Sequence, residues 1–175
     1  MKKTFIAFTF SSLFMACAAQ ATDHPAGVEI DGMIAKGNSG CTVTVGSPYL
    51  TVDGDIDELP AQGASATNPT SLSYWVNPTT GNANYCFGTV ALQLHGVVDT
   101  ADGTTLANTL TGEGAAQGVG IALYDKGNLP LAVNNTQLEA KSGGGTIGLQ
   151  MVKLNGQTPV EGELKTVLTI DIVRL

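Results

Sequence analysis

Apolar and polar residues alternate in a series of short runs along the chain, and clusters of Gly, Pro, Asn, Asp and Ser separate the runs. The clearest run is "TVALQLHGVVD", with Val90, Leu92, Leu94 and Val98 on one face and Ala91, Gln93 and His95 on the other. "GVGIALYDKGNLPL" groups Val119, Ile121 and Leu123 before a tight "DKGN" turn. "TIGLQMVKL" groups Ile147, Leu149 and Met151, after "QLEAK" and an "SGGG" spacer. "LKTVLTIDIVRL" groups Leu164, Leu168, Ile170 and Ile172 and continues to Leu175. "CTVTV" at 41–45, "YLTV" at 49–52 and "SLSYWV" at 71–76 are shorter expected strands. Residues 60–70 are a polar loop with two prolines, residues 77–84 are rich in turn formers, and "DTADGTTLAN" reads as a turn and a short return. A period of two sends successive side chains to opposite faces of a sheet. With no convincing amphipathic helix, the pattern predicts an all-β sandwich.

One alternating run stands apart. In "AGVEIDGMIAKGNSGC", Val28, Ile30 and Ile34 share a side with Gly32, while Glu29, Asp31 and Met33 take the other. The flexible "KGNSG" then separates this run from Cys41. The pattern leaves open which sheet the strand would join.

The beginning of the chain reads as an export signal. Lys2 and Lys3 precede the apolar "TFIAFTFSSLFMA", and "AQA" at 19–21 fits a small-x-small cleavage site, so the exported chain is expected to begin at Thr22. The alternatives are a membrane anchor, for which the run is short, and lipid attachment at Cys17, where such signals favour Leu at the position of Phe14. The expected divisions are 1–21 signal, 22–40 arm and hinge, and 41–175 sandwich domain.

Charge and cysteines narrow the picture further. The formal net charge is -7, and loss of Lys2 and Lys3 makes it -9, because residues 1–21 hold no Asp or Glu. That balance opposes nucleic acid, whose phosphates need Lys and Arg. Cys41 and Cys86 remain after cleavage, and in an exported chain they most simply form one disulfide. A loop of that span contributes roughly 4 kcal/mol by chain-entropy arithmetic. Free thiols or a metal pair are the alternatives, and only His24 and His95, both isolated, could join the metal pair.

Catalytic constellations are not found. No serine sits in a G-x-S-x-G elbow. "DGDIDE" at 53–58 resembles part of a calcium loop but lacks its glycine and distal glutamate, so it reads as a solvated turn. Asp99, Asp102 and Asp125 fall in turns, where an Asp side chain caps local backbone. "GGG" at 143–145 precedes a strand rather than a helix and is no phosphate cradle. The expectation is no enzyme, no cofactor and no metal site.

The chain from residue 22 onward resembles the subunits of chaperone–usher fimbriae, the pilins of Gram-negative bacteria. The alternating "VEIDGMI" before the first cysteine carries the resemblance, together with the placement of the two cysteines before "VALQLHGVVDTADGTTLAN". So do "GVGIALYDKGNLPL" and the closing aliphatic strand. There are departures: Arg174 stands where the family usually has an aromatic residue, and "NPTTGNANYC" replaces an aliphatic strand leading into the second cysteine.

The resemblance implies an incomplete immunoglobulin-like β-sandwich lacking its last strand, with an N-terminal donor-strand arm. It implies that Val28, Ile30, Gly32 and Ile34 face into a neighbouring subunit. Leu168, Ile170, Ile172 and the Leu175 carboxylate would form the strand that a periplasmic chaperone contacts. The implied partners are other pilus subunits, the chaperone and an outer-membrane usher, with a host receptor reached through the fibre. The implied location is a cell-surface fimbrium. Within the resemblance, a pilus-terminating subunit is a subsidiary alternative. A reading from a different class is a self-contained secreted β-sandwich that binds a glycan through Tyr74, Trp75 and Tyr85.

Overall fold

The structure is a computed structural model that describes residues 40–79 and 83–175. The expected signal segment and the arm residues Val28, Ile30, Gly32 and Ile34 lie outside the described residues. In the described part the alternating runs become strands. In chain order they are β1 (Cys41–Val45), β2 (Thr70–Pro78), β3 (Val90–His95), β4 (Leu106–Ala107) and β5 (Val119–Tyr124). β6 (Pro130–Leu131), β7 (Gln137–Glu139), β8 (Gly145–Lys153) and β9 (Thr169–Arg174) follow. A single 3-10 turn at Ala83–Cys86 is the helical element among the described residues.

The strands form two antiparallel sheets. The first has the order β1-β2-β8-β5-β4, with β6 also on β5; the second has the order β7-β3-β9. The inward rows pack as the alternation predicts. Val90, Leu92 and Leu94 of β3 meet Leu72, Tyr74 and Val76 of β2, Ile121 and Leu123 of β5, and Ile147 and Leu149 of β8 in one buried core. Burying each such aliphatic side chain is worth about 1.5–3 kcal/mol. Cys41 and Cys86 are joined by a disulfide, with Cα atoms 5.9 Å apart and 45 positions between them. The crosslink ties the start of β1 to the 3-10 turn after β2, and Cys86 is fully buried in the core.

β5 departs from simple alternation, because all six of its residues are buried. The polar loop is the reason. Ala66 packs against Ala122, Tyr124 and Val152 on the outer face of the first sheet. Backbone bonds from Ala66 N to Asn128 O and from Gln62 N to Lys153 O hold the loop down.

Gln62 is itself buried, and it anchors a polar knot. Its amide nitrogen donates to Asp99 Oδ2 at 2.9 Å and to Thr105 Oγ1 at 3.0 Å, and its Oε1 accepts from Asn155 N at 3.0 Å. Asp99 caps its own turn, accepting from Ala101 N, Asp102 N and Thr105 N. Burial pushes the Asp99 carboxyl up, but these N–H donors and the Gln62 amide outweigh it and hold the carboxyl below its ordinary value. Asp102 and Asp125 cap local backbone in the same way, through Thr104 N in one case and Gly127 N and Leu129 N in the other.

Two expected elements change. "YLTV" at 49–52 is not a strand, since no backbone ladder reaches it among the described residues. The final run is a strand only over Thr169–Arg174; Leu164 and Leu168 precede it outside any strand.

Candidate functional site: an open groove and an unpaired edge

Among the described residues β9 has a partner strand on one side only. It pairs antiparallel with β3, Leu92 opposite Ile172 and Leu94 opposite Ile170. Leu175 N donates to Thr89 O at 3.0 Å, so Leu175 and Thr89 form a hydrogen-bonded pair. Antiparallel ladders alternate between bonded and non-bonded pairs. The backbone groups of Thr169, Asp171 and Val173 therefore face β3, while those of Ile170, Ile172 and Arg174 face away. On that outer side no strand pairs with β9 among the described residues. β1 approaches β9 without a bridge between them.

The side chains register the same gap. Leu164, Leu168, Ile170 and Ile172 all pack on the core, yet each is only half-buried. Thr166 belongs to the same alternating row, and its buried Oγ1 has no hydrogen-bond partner among the described residues. A row of aliphatic side chains with its backbone unpaired is an edge open to another strand.

Upstream of β9 the chain forms one wall of an open groove of about 980 Å³. Val160–Lys165 is that wall, and Leu50–Ile56 faces it. Leu110, Ala116, Val119 and Met151 are among the apolar residues lining it. The failed strand "YLTV" thus reappears as groove lining, with Val52 packed on the core and Leu50 39% exposed. Gly54 brings this wall against the sheet, since a Cβ there would stand 2.7 Å from Leu59 Cδ2 and 3.3 Å from Met151 Cβ.

The opposite wall is bonded on its far side. Ala116 N donates to Glu163 O at 2.9 Å, Glu163 N to Gly114 O at 2.7 Å, and Thr109 N to Lys165 O at 2.8 Å. Asn108 completes the attachment. Its Nδ2 donates to Ala116 O and Glu163 O, both at 2.9 Å, and its Oδ1 accepts from Leu110 N and Lys165 N, both at 3.0 Å. The amide's whole hydrogen-bonding capacity is spent holding the wall. Sequence reasoning passed over Asn108; its place in "LAN", directly after a short strand, was the available signal.

Of the residues expected along the closing strand, Ile170 and Ile172 lie together on β9, Leu168 immediately precedes it, and Leu175 is 74% exposed beyond it. Leu164, grouped with them in sequence, lines the groove itself. Arg174 rests on the Tyr85 ring, with its guanidinium carbon 5.7 Å from the ring centroid and Nη1 3.2 Å from the Tyr85 hydroxyl. The aromatic residues of the glycan reading do not converge. Tyr74 is buried in the core, Trp75 beside it in β2 is 42% exposed on the other face, and Tyr85 lies under Arg174. "DGDIDE" is an exposed turn closed by Glu58 N to Asp55 O, and among the described residues no group of His, Cys, Asp and Glu is arranged to hold a metal.

This is an immunoglobulin-like all-β sandwich, the fold of chaperone–usher pilus subunits. Among solved structures, the chain is similar to the P pilus rod subunit PapA, with a TM-score of 0.53 and 14% identity over 85% of this chain and 99% of that one. It is also similar to a chain of a chaperone-usher pilus solved to explain rod uncoiling, with a TM-score of 0.53 and 15% identity over 90% of this chain and 100% of that one. No protein-family model matches the sequence, and no curated protein matches it.

Proposed function

We propose that the chain is a structural subunit of a bacterial surface fimbria, exported through the periplasm and polymerised by donor-strand exchange. The observation that carries this reading is the outer edge of β9, unpaired among the described residues, with its half-buried aliphatic row beside an open groove. Strand addition to an open sheet edge is a general mode of recognition, and chaperone–pilin complementation is a known instance of it.

In this reading a periplasmic chaperone first covers the edge with a strand of its own and contacts Leu175. An outer-membrane usher then passes the subunit to the growing fibre, where the arm of the next subunit replaces the chaperone strand. The donor row is Val28, Ile30 and Ile34, with Gly32 where the groove admits only a hydrogen atom. Three buried aliphatic side chains contribute roughly 5–9 kcal/mol. Ladder hydrogen bonds to Ile170, Ile172 and Arg174 add about 1 kcal/mol each, and ordering of the arm offsets part of the total. Persistence of the fibre then rests on slow strand release. The assembled fibre serves adhesion through contact with a host receptor.

Gly32→Leu tests the donor assignment. The variant should be recovered with its chaperone as a folded subunit and should fail to form the ladder of stable polymers on non-denaturing gels. Normal polymerisation of that variant would contradict the assignment.

A further inference from the structure

The groove carries a charge that the chain's own alternating arm does not complement. Asp53 and Asp55 stand on one wall, Glu161 and Glu163 on the other, and Lys165 is the base among the residues lining it. Four acids and one base leave a formal charge of -3 on these side chains, all of them exposed. None of the four carboxylates makes an ion pair among the described residues. In the arm, Val28, Ile30, Gly32 and Ile34 alternate with Glu29 and Asp31. A strand that pairs on β9 and continues upstream with its aliphatic row in the groove turns its outer row, here Glu29 and Asp31, toward the acidic rim. Like charges facing each other across a ladder are destabilising, and opposite charges are favourable.

We propose that the groove's preferred occupant is a strand from a chain other than a copy of this one, with aliphatic residues alternating with Lys or Arg on the outward row. The proposal rests on the fimbrial reading and adds to it a choice of partner: self-polymerisation is disfavoured relative to joining a basic-armed neighbour. The same acidic rim suits a basic chaperone strand, so the exchange from chaperone to neighbour keeps the charge match.

The test uses the full chain recovered from the periplasm and two fluorescent peptides. One has the sequence of residues 24–36, "HPAGVEIDGMIAK"; the other carries Glu29→Lys and Asp31→Lys. At low salt the lysine peptide should bind about tenfold more tightly, a modest factor because the rim is solvent-exposed. The gap should close in about 0.5 M salt, where screening falls to a few ångströms. It should also close in a chain carrying Glu161→Gln and Glu163→Gln. Equal binding of both peptides at low salt overturns the charge preference and leaves the groove reading standing. A gap that survives both salt and the Gln substitutions also overturns it. Binding of neither peptide overturns the groove reading together with the preference.

Discussion

β3 and β9 are neighbours in one sheet and carry the same kind of aliphatic row, yet the structure treats them differently. Leu92 and Leu94 are fully buried, whereas Ile172 and Ile170, directly opposite them, are half-buried. β3 is bonded on both edges: its far side meets β7, Ala140 N donates to Val90 O, and Asn134 N donates to Leu94 O. Among the described residues β9 is bonded on one. Residue type does not distinguish the two strands, since Ile is as apolar as Leu. The difference lies in what stands beyond each of them. A sandwich face needs cover from both sheets and both edges, and for β9 the described residues supply only part of it.

Substitution should expose this contrast most strongly. Leu92→Ala should destabilise the subunit by about 2–5 kcal/mol, the range for a fully buried large-to-small change. Ile172→Ala should cost only about 1 kcal/mol in the lone subunit, because much of its surface is already in water. In the fibre of the proposed function the cost of Ile172→Ala should rise toward that of Leu92→Ala. Denaturant midpoints of the released subunit and dissociation midpoints of the fibre measure the two cases. Equal costs in the lone subunit would break the comparison.

The strand framework was legible in the sequence because alternation reports which face a side chain takes. Alternation does not report whether a partner strand is present. That is why "YLTV" at 49–52 read as a strand and is instead groove lining, and why the last run read as one strand from Leu164 although pairing begins only at Thr169. The polar framework was less legible. Gln62 and Asn108 sit in segments that look like ordinary loops, and their importance comes from partners distant in sequence: Asp99 and Thr105 for one, Glu163 and Lys165 for the other. The turn aspartates were legible, because their bonds are local.

A smaller effect sharpens the comparison from the well-packed side. The Asp99 carboxyl is held below its ordinary value in the folded chain. A lowered folded value means that the unfolded chain takes up a proton first, from about pH 4 downward. The stability Asp99 contributes is therefore whole above that range and is lost as pH falls through the folded value. Stability should fall as pH is lowered from about 4 toward the folded value, and the fall should be smaller in Asp99→Asn. An identical drop in the variant would show that the Gln62–Asp99–Thr105 knot does not hold the charged form.

The central claim is that the outer edge of β9 waits for a strand from another molecule. Residue-resolved amide exchange tests it most directly, because neighbouring residues of one strand serve as controls for each other. In the lone subunit the amides of Ile170, Ile172 and Arg174 should exchange freely, while those of Asp171, Val173 and Leu175 are slowed by β3. On assembly, or on addition of a peptide covering residues 24–36, the first set should become protected by about a hundredfold or more, as closed ladder bonds are. If the two sets are equally protected in the lone subunit, or if assembly leaves the first set unchanged, the edge is not the site of strand addition.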